Sequence, residues 1–572
     1  MTAADAASAA DAADSPDGLP GGPAGAPLFS VLVPVYRTPP EYLHPMIDSV
    51  RAQQEPSWEL VLVDDGSADP DLSAALQDAA AADGRIVVLG QPVNQGIVAA
   101  TAAGLAAARG RFVALLDHDD LLAPAALRRV REHVEGLAAA GHPPVGVLYT
   151  DEDQLHPDGE YRAAFRKPDW APERLRGQMY LGHLSVYRRD LLTAIGGLRR
   201  GYDGSQDYDL ALRATEEAAA RGWSVVHLPE VLYHWRIHPE SVSHRSDNAP
   251  VFDAARRALA DHLERTGVDG TVEQVHAVGV YRIRRRLDRW PRVSIVIPTR
   301  GSRGFTRGAD RVMVLDAVRS VVTRSSYPDY ELVVVADTAT PPQVLADLRA
   351  VAGDRLVEVP YDGPWSFSAK CNIGVQRSSG SLVLLLNDDV EVLTPDWLET
   401  MVSLAVQPDV GMVGAKLLYE DGTLQHLGHL YEGGEVTHVA AGAPADWPGP
   451  VADLLVEREV SGVTAACALL RREVFDEVGG LSSALPVNFN DVDLSLKITG
   501  AGYRILVTPF AVLHHFESRT RKRTVASSEV LTLRRRWDHR LLVDPYWHHD
   551  PAEVAAGLQA ALAAAPPSPP RG

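Results

Sequence analysis

Cysteine is nearly missing: Cys371 and Cys467 are the only two in 572 residues. Neither a disulfide framework nor a cysteine-rich zinc site can be built from them. A reducing cytoplasm is the natural setting for such a chain. Long apolar runs are missing as well, since nothing approaches the ~18–20 residues that a membrane span requires. The first 27 residues are acidic and rich in Ala, Gly and Pro, without the basic start and apolar core of a secretory signal. They read as a disordered tail, and the closing AAAPPSPPRG reads the same way.

Several catalytic signatures are also absent. No G-x-G-x-x-G follows the first strand, and there is no G-x-x-x-x-G-K-[ST], which disfavours dinucleotide dehydrogenases and P-loop NTPases. H-E-x-x-H and G-x-S-x-G are missing too, so zincin and serine-hydrolase chemistry lack their anchors. The net charge of −20 argues against general affinity for nucleic acid. Basic residues do crowd two regions: Arg282, Arg284, Arg285, Arg286, Arg289 and Arg292, then Arg519, Arg521, Lys522, Arg523 and Arg534–Arg536. Such runs are usually solvated faces or helix ends. The alternative is docking to anionic lipid headgroups or a phosphate-bearing acceptor.

What the chain does contain is a repeat. FSVLVPVY from Phe29 is echoed by VSIVIPTR from Val293, and WELVLVDDGSADP from Trp58 by YELVVVADTATP from Tyr330. FVALLDHDDLL is matched by LVLLLNDDVEV, and HLSVYRRDLLTAIGGL by ACALLRREVFDEVGGL. QDYDLALRATEEAAARGWSVVHLPEVLYHW is answered by NDVDLSLKITGAGYRILVTPFAVLHHF. Five blocks in one order mean two copies of a single domain. In the first copy, strands are expected at Phe29–Val35, Glu59–Val63, Ile86–Leu89 and Phe112–Leu116. Helices are expected near Glu41–Gln54, Asp71–Ala82 and Gly96–Arg109. That alternation argues a largely parallel sheet with helices on both faces.

In both copies an apolar strand ends in carboxylates: Asp117, Asp119 and Asp120 in one, Asp388 and Asp389 in the other. Strand ends of an open α/β sheet are where ligands bind. Carboxylates massed there repel one another unless a divalent cation sits among them, and Mn²⁺ or Mg²⁺ suits such oxygen ligands. Such a metal commonly holds the phosphates of a nucleotide. Asp64 and Asp65, before Gly66-Ser67, end the second strand and suit a nucleobase or ribose hydroxyl, although an acidic turn is the common meaning. In the second copy Ala336-Asp337 stands there. Asp207 and Asp491 open helix-like segments, where an acidic residue is an ordinary N-cap. Trp365 and Trp397 suit either sugar stacking or core packing. Cys371 lacks a partner signature for a catalytic thiol and reads as a packed residue.

The order VxVPVY, VDDGS, N-x-G, LDxDD, Gly-Gly-Leu, (Q/N)D-x-DL and a late His resembles the family 2 glycosyltransferases of GT-A fold. The resemblance covers roughly Phe29–Ser243 and Val293–Arg521. The second copy, with PYDGPWSFSAKCNIGV and LPVNFNDVDL, is especially similar to rhamnosyltransferase and O-antigen enzymes. The resemblance implies that Asp119 and Asp389 ligate the metal, with Asp117 and Asp388 beside them for ribose or metal-bound water. His234 would complete the first metal site; in the second, ungapped alignment favours His514 and the F-E-S pattern favours His515. Asp207 and Asp491 would be the bases, with Asp209 and Asp493 orienting or capping. Asn94, in N-x-G, and Asn372 would serve the donor nucleotide, together with Asp64, Asp65, Asp117, Asp337 and Asp388. Two departures stand out: Ala102 occupies the place of Asn372 in the first copy, and Ala336-Asp337-Thr338-Ala339 replaces D-D-G-S in the second.

The resulting expectation is an α/β chain of two tandem GT-A domains at 28–245 and 291–545. A connector at 246–290 and tails at 1–27 and 546–572 complete the reading. Each domain would be a metal-dependent inverting glycosyltransferase, taking a nucleotide-diphosphate sugar such as dTDP-rhamnose or a UDP-hexose. The acceptor would be a growing cell-surface polysaccharide or a polyprenyl-linked glycan at the inner membrane face, reached by a cytoplasmic enzyme with peripheral membrane contact. The alternative is one active domain with the other copy a glycan-binding or scaffolding module. A sugar-nucleotide pyrophosphorylase is disfavoured because its Gly-rich phosphate loop is missing. Specificity is expected in Tyr149–Met179 and Leu417–Glu459, where the copies diverge.

Overall fold

The computed structural model describes residues 25–238, 249–276, 279–517 and 525–564. The tail readings at 1–24 and 565–572, and the basic run at 519–523, lie outside them in whole or in large part. The chain divides into two compact units, 1–170 with 179–267, and 171–178 with 268–572.

In the first unit one sheet runs in the order Ile86–Gly90, Trp58–Asp64, Phe29–Val35, Phe112–Leu115, Ser185–Arg188, Val145–Leu155, Ser224–Arg236, Leu121–Leu122. The first four strands are parallel, and Ser185–Arg188 is antiparallel to both neighbours. The parallel strands are mostly apolar because helices cover both faces, with Ser30 and Glu59 as buried polar exceptions. The intervening helices are Pro40–Arg51, Pro70–Ala82 and Ile97–Ala107. Their starts follow local chemistry: Asp69 accepts from the backbone N–H groups of Asp71 and Leu72, with Pro70 at the first helical position. All seven elements fall within a few residues of the expected spans.

The second unit repeats the order strand for strand: Leu356–Tyr361, Tyr330–Asp337, Val293–Thr299, Leu382–Leu386, Cys467–Arg471, Val410–Leu418, Arg504–His515, Val390–Val392. The copying extends to a buried detail. Ser30 donates to Glu59 at 2.6 Å and accepts from Gly110 N–H at 2.8 Å; Ser294, Glu331 and Gly380 repeat both bonds at the same lengths. A Cβ on Gly110 would lie 2.4 Å from Ser30 N, and one on Gly380 2.5 Å from Arg292 O, so glycine is required at both places.

Three expectations about the edges are revised. The segment at 246–290 is not a separate body: the helix Ala249–Thr266 packs in the first unit, and the hairpin Gly270–His276/Val280–Arg285 belongs to the second. Part of its arginine cluster turns inward. Arg285 pairs with the buried Glu173, and Arg282 donates to Thr400 at 2.9 Å, so these two are framework rather than docking surface. Residues from 546 are not all tail either. Trp547 and the helix Pro551–Ala564, through Val554, Leu558 and Ala561, pack on the second unit's core.

Candidate active site

In the second unit the strand Leu382–Leu386 delivers Asn387, Asp388 and Asp389 to the floor of a cleft of ≈ 540 Å³. Asp491, in the first turn of the helix Asn490–Gly500, faces the same cleft, as do His515 and Trp365. Asp389 is buried, and His515 Nε2 stands 3.2 Å from its Oδ1. His515 Nδ1 lies 2.7 Å from Gln425 Oε1, so the ring donates there and directs its Nε2 lone pair at the carboxylate side. Asn387 Nδ2 donates to that Nε2 at 3.0 Å. Asp388 accepts from Thr299 Oγ1 at 2.6 Å; burial, and secondarily Asp389, push its carboxyl up to about 7. Asp389 and His515 bring a carboxylate oxygen and an imidazole nitrogen together, with the Asp388 carboxyl in the same cleft, and donors of these types fit a divalent cation.

The two histidine alternatives separate by strand alternation. His514 points to the other face of Arg504–His515, where its Nδ1 meets the Tyr419 carbonyl at 2.9 Å. It does not line the cleft. Asp491 accepts from Ala465 N–H at 3.3 Å and from its own neighbour Val492 N–H at 2.9 Å. Asp493, two residues on, is fully buried and bound by Arg536 Nη1 and Trp537 Nε1, each at 2.9 Å. One Asp of the motif faces the cleft while the other anchors the helix.

The first unit assembles a related but different set. Asp119 Oδ2 lies 2.8 Å from Nε2 of His238, not His234. His234 turns to Asp153 at 2.6 Å. Pairing registers explain this: Leu121 pairs with His234 as Glu391 pairs with His514, so the place of His515 is taken by Trp235. Asp117 is half exposed, 3.8 Å from His183 Nε2, and His183 stacks on Tyr233 with centroids 4.6 Å apart. Asp207 opens the helix Gln206–Ala220; burial, aided by Asp117 and opposed by His183, holds its carboxyl above the usual range. Asp120 is buried, and burial together with Asp117 and Asp119 raises it strongly while Tyr233 donates to it at 2.5 Å. Asp209 is the buried anchor here, paired with Arg199 and Arg213.

Two comparisons decide the family. The model described as "Glycosyl transferase family 2" matches residues 30–196, and "Glycosyltransferase like family 2" matches 291–539. The chain belongs to glycosyl transferase family 2. Among similar proteins is y4gI of Sinorhizobium fredii, 40% identical over 91% of this chain and 57% of its own length. The O-antigen biosynthesis protein RfbC of Myxococcus xanthus is 37% identical over 87% of this chain and 38% of its own. EpsE of Bacillus subtilis, a glycosyltransferase by name, is 31% identical over 41% of this chain and 86% of its own. The chain thus spans about half or less of the first two. A solved structure of S. aureus TarS in complex with UDP covers 41% of this chain and 65% of its own, at 21% identity and a TM-score of 0.33.

Several other family 2 positions have structural partners in this chain. Asp65 accepts from the N–H groups of Gln95 and Gly96, both at 2.8 Å, and so ties the N-x-G loop to the strand end. Asn94 in that loop is exposed. Asp64 accepts from Ser67 N–H at 3.0 Å. Asp337, the counterpart of Asp65, is held instead by buried Lys370 Nζ at 2.6 Å and by Arg300 at 3.3 Å. Asn372 is turned away from the donor side: its amide bonds Leu481 N–H at 3.0 Å and Leu481 O at 2.8 Å. Ala102 therefore costs the first unit a clamp on its Gly-Gly-Leu turn. Trp397 is core, donating to Ser325 Oγ at 2.9 Å, and both cysteine thiols are buried and pushed up by burial. Sequence reasoning missed His238, His183, Lys370 and Gln425. Their only signal was a polar residue near a motif, which is too common to single out.

Proposed function

We propose that the chain is a metal-dependent, inverting glycosyltransferase with a donor site in each unit. Each would move a sugar from a nucleotide-diphosphate sugar to a growing cell-surface polysaccharide or lipid-linked glycan. The observation that carries this is the convergence of Asp388, Asp389, His515 and Asp491 on one cleft. Asp389 and His515, and in the first unit Asp119 and His238, would hold Mn²⁺ or Mg²⁺. When bound, that cation offsets charge on the departing diphosphate.

The residues of the chain account for the rest. Trp365 forms an apolar wall of the cleft, under the guanidinium of Arg300 at 4.4 Å. Asp491 takes the proton of the acceptor hydroxyl as its oxygen bonds the anomeric carbon. The bond from that carbon to the diphosphate oxygen breaks, and its electron pair leaves with the nucleoside diphosphate. A single displacement inverts the anomeric centre. Asp207 would be the base of the first site.

The donor pair, such as dTDP-rhamnose or a UDP-hexose, rests on the family's chemistry and on the polysaccharide role in RfbC's name. The acceptor would be reached by peripheral contact with a membrane; among the described residues no helix is long and apolar enough to cross one. A second reading draws on the first unit's substitution of Trp235 for His515: one active transferase, with the first copy a glycan-binding module.

The test is nucleotide release from UDP-, dTDP- and GDP-sugars with Mn²⁺ or Mg²⁺ and a lipid extract as acceptor. Asp119→Ala and Asp389→Ala run beside the parent chain. Two donors silenced by different substitutions support two sites. One donor silenced only by Asp389→Ala supports the second reading, and no metal-dependent release from any donor refutes both.

A further inference from the structure

Beside the second cleft, on and just before a hairpin that the described residues of the first unit do not repeat, stand three histidines. His429 and His438 face each other across the hairpin His429–Glu432/Glu435–His438, and His426 lies just before it. Their ring nitrogens gather within 4.8 Å of one another. His426 and His429 are buried, while His438 opens to the cleft and lines it together with Asp491. The equivalent variable segment of the first unit, Tyr149–Met179, carries one histidine, His156.

Three imidazoles suggest a zinc site, but the hydrogen bonding points elsewhere. His426 Nε2 accepts from two backbone N–H groups, Thr464 at 3.1 Å and Gly428 at 3.3 Å. A nitrogen that accepts carries no proton, so the neutral ring of His426 must carry it on Nδ1. That Nδ1 lies 2.8 Å from Nδ1 of His438 and donates to it. A protonated Nδ1 has no lone pair for a metal. The consequence passes to His438: with Nδ1 accepting, its proton sits on Nε2. The backbone thus sets the tautomer of a cleft residue through one intermediate ring.

We propose that His438 is an acceptor-binding residue of the second site, presenting a fixed, uncharged Nε2–H donor to a hydroxyl or ring oxygen of the acceptor glycan. His426 is its positioning residue. This rests on the second unit being the transferase site proposed above. An uncharged donor suits the place, because a cation there would pair with Asp491 and compete with its role as base. The charged and titratable groups around the triad are Asp491, Glu517, His515 and Arg458, and the Gln425 backbone carbonyl also lies against the His438 ring; burial, as the largest influence, keeps all three rings below the ordinary histidine value. Because the described residues of the first unit do not repeat the hairpin, the two sites would read different acceptors.

Selective ¹⁵N-histidine labelling of the full chain tests the donor directly. At pH 7 the long-range ¹⁵N–¹H spectrum should show His438 protonated on Nε2 and His426 on Nδ1, and His426→Leu should release His438 to exchange between tautomers. The role is tested by transfer to lipid extract. His438→Phe should raise the acceptor KM about tenfold, the loss of one hydrogen bond, with a much smaller change in kcat. His438→Gln, whose amide N–H reaches the Nε2 position, should restore the KM, and His438→Asn should not. A proton on Nδ1 of His438, a stoichiometric metal in the purified chain that His426→Leu removes, or parental transfer by His438→Phe would each overturn the proposal. A parent chain inert towards every donor would instead count against the transferase reading, leaving the spectrum to decide whether the donor exists.

Discussion

Replacing His515 and His514 one at a time separates a metal ligand from its neighbour. His515 directs Nε2 at Asp389 Oδ1, 3.2 Å away, while His514 bonds the Tyr419 carbonyl on the opposite face. Loss of an outer partner of a metal ligand costs 10–100-fold in affinity, and loss of the ligand itself costs at least that. His515→Ala should therefore weaken Mn²⁺ binding by ~1.4–2.8 kcal/mol or more. His514→Ala forfeits one hydrogen bond, ~1 kcal/mol of folding stability, and should leave Mn²⁺ affinity unaltered. Gln425→Leu tests the tautomer argument, because the ring then loses the acceptor that holds its proton on Nδ1; about tenfold weaker binding is expected. The assay is free Mn²⁺ by electron paramagnetic resonance during titration with UDP present, on the Asp119→Ala background so that only the second site reports. Weakened binding in His514→Ala with unchanged binding in His515→Ala would refute the geometry.

Burial first, opposed by Asp491 and aided by His438, lowers His429 from 6.5 to about 4. Its neutral form contributes stability that is complete above pH 6.5 and is lost as pH falls towards and through 4. This amounts to about 3 kcal/mol for the second unit. Urea midpoints between pH 7.5 and 4.5 should fall in the parent and fall less steeply in His429→Leu, where His426 and His438 still contribute; parallel curves contradict this. Asp493→Ala leaves Trp537 Nε1 without this acceptor and unpairs the part-exposed Arg536, and should cost ~1–3 kcal/mol. Asp491→Asn should leave thermal unfolding within about 1 °C and abolish transfer, the opposite pattern. Cys371 and Cys467 are fully buried thiols, so a thiol reagent should label them only at the rate of unfolding.

Much of the fold was legible because its signals are local. Apolar β-branched runs at Phe29–Val35 and Val293–Thr299 admit one reading, and Pro70 or Ser366 mark helix starts where they occur. The repeat made each assignment twice. The edges were harder. The helix Pro551–Ala564 is rich in alanine and sits next to a Pro-rich tail, and only the apolar surface it covers distinguishes it from that tail. The arginines at 282 and 285 look solvated in sequence, since their partners Glu173 and Asp396 are more than a hundred residues away.

The sequence by itself determined the family, the duplication, which strand ends carry Asp119 and Asp389, and which helix starts carry Asp207 and Asp491, because these rest on residue type and spacing along one element. Which histidine meets which aspartate was decided only in three dimensions. His514 and His515 differ by one position on a strand, and one position reverses the face. His238 reaches Asp119 because the register that places His515 in the second unit places Trp235 in the first. Asn372 carries the motif's letter, yet its amide closes a turn. The tautomers of His426 and His438 depend on two backbone N–H groups from Gly428 and Thr464, which no pattern of side chains records. Direction, register and the backbone's own donors are properties of the packed chain, and these three decided the chemistry of the site.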